Sequence, residues 1–103
     1  MEEKILTAHP HGKQGVRISK DKYERTRKAI LSSLEQQDKL TFEQLVESVE
    51  RKLAGHFDGS IAWYTTTVKL DLEARNEIIR NTKAKPTQYQ LAGALSYHSK
   101  KGI

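Results

Sequence analysis

The chain has 103 residues, 36% hydrophobic and 30% charged, with no cysteine and a formal net charge of +5. That length allows one domain with a single modest core, and the missing cysteines exclude disulfides and thiolate chemistry. No run approaches the ~18 apolar residues of a membrane span, and the opening "MEEK" leads into no apolar signal segment, so the expectation is a cytoplasmic protein with no membrane partner.

In chain order, residues 1–18 come first. "KILTAHPHGKQGVRI" mixes short apolar pieces with Pro10, Gly12 and Gly15, which predicts an extended arm or loose hairpin. Ser19 is a helix N-cap with Asp21 in the first turn, and Tyr23, Ile30, Leu31 and Leu34 follow at helical spacing. The second helix carries the clearest signal. Thr41 and Gln44 match a capping box, Phe42, Leu45, Val46, Val49 and Leu53 form one stripe, and Glu43, Glu47 and Glu50 face solvent before Gly55 ends it.

After the turn "GHFDGS", a third helix runs from Ser60 to about Arg75, with Asn76 as a left-handed C-cap. At about 100° per residue, Ile61, Tyr64, Val68 and Leu72 share the core face, and Trp63, Leu70 and Ala74 lie opposite with Thr67 beside them. The strip predicted for solvent holds Ala62, Thr65, Thr66, Lys69 and Glu73. "EIIRNT" and "TQYQLA" are β-prone runs around the basic turn "KAKP", hence a hairpin with Pro86 in its turn. Residues 93–103 have weak periodicity and are expected to fray.

The expected class is therefore α+β, mostly α. It is a winged helix with an N-terminal extended arm (1–18), a three-helix core and β-hairpin wing (19–92), and a C-terminal tail. The run "DLEARNEIIRNTKAKPTQYQL" resembles the end of the third helix and the wing of winged helix-turn-helix domains. Leu72 matches the helix leucine, "EAR" the charged residues, Asn76 the turn glycine and Ile78 the strand. The stretch Ser19 to Leu91 also resembles a family of small, uncharacterised bacterial proteins with "FDGSIAWYTTTVKLDLEAR" as its most recognisable segment. That family is similar to winged-helix proteins and implies no particular activity.

Charge distribution bears on the partner. Residues 1–34 carry eight Lys/Arg against four Asp/Glu, 35–59 three against six, and 60–103 seven against three. Basic ends favour a polyanion. The leading expectation is a DNA-binding protein, a small transcriptional regulator, with double-stranded DNA as partner. Ser60, Thr65, Thr66 and Lys69 of the third helix would enter the major groove. Arg75, Arg80, Lys83 and Lys85 would hold phosphates from the wing, and Lys13 and Arg17 from the arm. The alternative is a winged-helix protein–protein or dimerisation module without nucleic-acid binding, in which Trp63 and Leu70 pack on a partner or on a second copy.

Catalysis is not expected. Ser32 and Ser33 have no His/Asp partner in sight, "HGKQG" lacks the spacing of a phosphate loop, and the helix-two glutamates suit a solvated face. His9 and His11 could begin a metal site, but structural zinc takes four ligands, so neither a metal nor another cofactor is expected.

Overall fold

The computed structural model describes residues 3–92. Two short antiparallel strands, β1 (Lys4–Leu6) and β2 (Arg17–Ser19), open the chain as a hairpin in the predicted arm, with Ile5 opposite Ile18. Gly15 is required there: a Cβ on it would lie 1.7 Å from the Thr7 carbonyl oxygen. Three helices follow, α1 (Lys20–Gln36), α2 (Phe42–Leu53) and α3 (Ile61–Ala74). A short strand β3 (Leu40–Thr41) sits between the first two, and β4 (Ile78–Asn81) and β5 (Gln88–Leu91) come last. The fold is α+β, with the helices dominant. None of the described helices is long and apolar enough to cross a membrane.

The helix ends follow the local chemistry read from the sequence. Ser19 and Ser60 cap α1 and α3 by accepting from the amides of Lys22 and Trp63. At α2, Thr41 Oγ1 accepts from the Gln44 amide (3.2 Å) while Gln44 Oε1 accepts from the Thr41 amide (3.0 Å), so two otherwise orphaned donors are satisfied. Asn76 stands at φ 61°, the left-handed conformation that favours glycine or asparagine. Its amide donates to the Glu73 carbonyl and the Glu77 amide to that of Leu72, which closes α3 and turns the chain directly into β4.

The last two strands form the expected hairpin, with Lys83, Lys85 and Pro86 in its turn. What the sequence did not announce is β3. Two residues between α1 and α2 pair with β5, giving a three-stranded antiparallel sheet of order β3-β5-β4. Ile30 and Leu34 of α1, Leu45, Val49 and Leu53 of α2, Val68 and Leu72 of α3, and Ile78 and Tyr89 of the sheet make one core. Between α1 and α2 the buried hydroxyls of Ser33 and Ser48 meet at 2.6 Å, so that polar pair is satisfied within the packing. The predicted tail, 93–103, lies outside the described residues.

One expectation about α3 is corrected. Thr65 and Lys69, placed in the solvent strip by helical rotation, are 0% and 4% exposed. The core face is rotated toward them, and Tyr64, expected inside, is only half-buried. Local chemistry makes this tolerable. Thr65 Oγ1 donates to the Ile61 carbonyl at 2.7 Å, so its hydroxyl is satisfied inside the helix. Lys69 extends under the rings of Phe42 and Tyr89 and ends on Glu73 at 2.6 Å. A buried ammonium needs such a partner.

Candidate functional site

The helix expected to read a groove is occupied on most of its circumference. Along the edge that faces the β4–β5 hairpin runs a chain of charges. Lys69 Nζ donates to Glu73 Oε2 (2.6 Å), and Arg80 of β4 donates from Nε to Glu73 Oε1 (2.9 Å). The Lys69 and Glu73 side chains are only 5% and 8% exposed. Arg80 also lies over the Tyr89 ring. The hydrogen bond to Glu73 raises the pKa of Arg80 above its ordinary value, with burial opposing. Glu73 thus clamps the hairpin to the helix.

A second cluster gathers around Asp71, which is fully buried. Its carboxylate accepts from the Tyr23 hydroxyl of α1 (2.5 Å), from the Ala8 amide beyond β1 (2.8 Å), and from Arg75 Nε at 3.0 Å to each oxygen. One side chain therefore fastens the N-terminal hairpin, α1 and the end of α3 together. Burial, then the hydrogen bond to Asp71 and its negative charge, pushes the Tyr23 phenol up to about 12. Arg75 is likewise raised, chiefly by its hydrogen bond to Asp71.

The raised phenol has a consequence in alkali. A phenol harder to ionise in the folded state contributes stability that is complete below pH 10 and is lost as the pH climbs to about 12. Urea unfolding of the wild type should therefore weaken across that window by more than unfolding of Tyr23→Phe. Parallel profiles for the two proteins would contradict the assignment.

The predicted DNA-contacting residues fall into three groups. Thr65 and Lys69 are buried in the folded chain. Arg75 and Arg80 are exposed in part but already paired with Asp71 and Glu73. Ser60, Thr66, Lys13, Arg17, Lys83 and Lys85 remain at or near the surface. Of these, Ser60 Oγ is engaged as the cap of α3, and Thr66 Oγ1 donates to the Ala62 carbonyl at 3.0 Å.

Sequence reasoning passed over Asp71 and set Glu73 in the solvent strip, although its side chain is only 8% exposed. A signal was available in "KLDLEAR", where Lys69–Glu73 and Asp71–Arg75 are both four residues apart and opposite in charge.

With the N-terminal hairpin on one flank and β4 on the other, α3 presents Ala62, Trp63, Thr66, Thr67 and Leu70 outward, a strip without a single charge. Trp63 is 46% exposed, a large apolar side chain left in water. It is held edge-on against Tyr64 (4.9 Å between centroids), which in turn meets Phe57 edge-on (5.1 Å) with the Lys22 ammonium over both Tyr64 and Phe57. The indole therefore rests against this aromatic cluster on one side and faces solvent on the other. Elsewhere, His9 and His11 stand together beyond β1, where the His11 amide donates to His9 Nδ1 at 3.2 Å and so occupies that lone pair.

Residues 4–89 match the family described as "Family of unknown function (DUF6958)". No curated protein and no solved structure matches the chain.

Proposed function

The chain belongs to DUF6958, and within that family of unknown function we propose that it is a winged-helix protein-interaction module that docks a partner protein on the outer face of α3. Support for the winged-helix reading comes from the element order and from β3, which joins the terminal hairpin from between α1 and α2. Support for a protein partner comes chiefly from one observation. The outward strip of α3 is uncharged and includes the half-exposed Trp63, whereas the lysine that would have met DNA is buried on Glu73. An exposed tryptophan within an uncharged strip is a common anchor of protein interfaces, and the strip lacks the arginine, lysine, asparagine or glutamine that make the strongest base contacts in a major groove.

The test places a photoreactive side chain at Thr66 in the native cell. One protein is expected to be captured, and Trp63→Ala is expected to abolish the adduct while changing stability by less than about 1 kcal/mol. Capture no stronger than from the same group at the exposed Glu50 would reject the reading. The second reading, DNA, is favoured by the exposed Lys83 and Lys85 at the hairpin turn. It requires a duplex-DNA shift that fades with salt and weakens in Lys83→Ala.

A further inference from the structure

Among the described residues the outer edge of β4 has open hydrogen-bonding groups, and the strand pairing identifies them. The Ala92 amide donates to the Glu77 carbonyl (3.1 Å), so Glu77 and Ala92 form a hydrogen-bonded pair in the antiparallel ladder. Such pairs alternate, which makes Ile79–Gln90 and Asn81–Gln88 the next bonded pairs. Ile78 and Arg80 must then turn their amides and carbonyls away from β5. Among the described residues nothing bonds to them.

Of the usual protections of an edge strand, β4 keeps shortness, at four residues, and lacks the others or has them engaged. β4 contains no proline, its register with β5 runs unbroken, and its one charged residue, Arg80, is folded onto Glu73. On the outward side of the hairpin, Ile79 and Asn81 stand with Gln88 and Gln90, so that surface carries no charge either.

We infer that β4 pairs antiparallel with β4 of a second copy of this chain, joining two three-stranded sheets into one of six. Of the symmetric registers that the parity allows, only the one centred on Ile79 pairs both Ile78 and Arg80 within β4. Ile78 bonds with Arg80 of the second copy and Arg80 with its Ile78, making four hydrogen bonds, while the two Ile79 side chains face each other at the two-fold axis. A second copy is the occupant that the edge itself specifies: donors meet acceptors, isoleucine meets isoleucine, and no like charges stand directly opposite. The contact is small, below the ~1,200 Å² of stable interfaces, so the dimer is weak, with a dissociation constant on the order of 0.1 mM. Each copy carries +5, and added salt, by screening that repulsion, strengthens the pairing; phosphate binding responds in the opposite direction. The pairing uses a different surface from the outer face of α3 and does not rest on that reading.

Sedimentation equilibrium up to about 1 mM protein, at low and high salt, with backbone hydrogen exchange, tests the inference. A dimer favoured by salt is expected, and the amides of Ile78 and Arg80 should exchange roughly fivefold more slowly at high concentration while those of Ile79 and Asn81 stay unchanged. Ile79→Lys sets two ammonium groups opposite each other at the axis and should leave only monomer, whereas Trp63→Ala should dimerise normally. A wild type that is monomeric throughout, a dimer lost in Trp63→Ala, or exchange at Ile78 and Arg80 indifferent to concentration would overturn the pairing.

Discussion

Asp71→Ala is expected to destabilise the protein by about 3–5 kcal/mol, a large share of what a small domain has. The loss is not that of one contact. Removing the carboxylate strands the Tyr23 hydroxyl and the Ala8 amide without an acceptor and releases Arg75, whose Nε donates to both oxygens. Each unsatisfied buried donor costs about 1–3 kcal/mol. Because the Ala8 amide belongs to the N-terminal hairpin, the variant should also show faster hydrogen exchange through β1 and β2 than elsewhere. Urea unfolding measures the first effect and exchange the second. A loss under about 1 kcal/mol would mean that the hairpin and α1 are held by packing alone.

The second large effect concerns Glu73 and depends on which partner is removed. Glu73→Ala leaves the Lys69 ammonium buried beneath Phe42 and Tyr89 with no anion, and a cost of about 3–5 kcal/mol follows. Lys69→Met costs less, since Glu73 keeps Arg80 and methionine replaces the apolar stem. Combining Lys69→Met with Glu73→Leu should recover most of the stability lost in Glu73→Ala, because a well-packed apolar pair needs no compensation for desolvated charge. A double variant as unstable as Glu73→Ala would locate the loss in the Arg80 clamp instead. Any effect of Lys69→Ala on DNA binding then has to be judged against unfolding, since that side chain does not face solvent.

These two clusters mark where sequence reading succeeds and where it stops. The capping box at Thr41 and Gln44, the serine caps and the left-handed Asn76 were legible because each is decided within about four residues of chain. The stripe of α2 was legible because its period is unambiguous, and Leu45, Val49 and Leu53 are all buried. On α3 the same rotation argument placed Val68 and Leu72 correctly and misplaced Thr65 and Lys69. This helix is covered on several sides, so polarity no longer indicates the outside; a threonine can satisfy its own hydroxyl and a lysine can find a glutamate one turn on. Strand β3 escaped notice because two residues carry no period, and their pairing with β5 spans most of the chain.

By itself the sequence determined the order of the three helices and the terminal hairpin, where the helices start and stop, and the absence of cysteine chemistry, because all of these depend on neighbours along the chain or on composition. Only the tertiary structure decided which cations are available to a partner. Lys69, Arg75 and Arg80 look alike as letters, yet each is already held by a carboxylate on α3, while Trp63 is left facing water. The physical reason is that a charge's availability depends on what the fold sets beside it, and α3, clasped between two hairpins, had its anions claimed before any ligand could reach them.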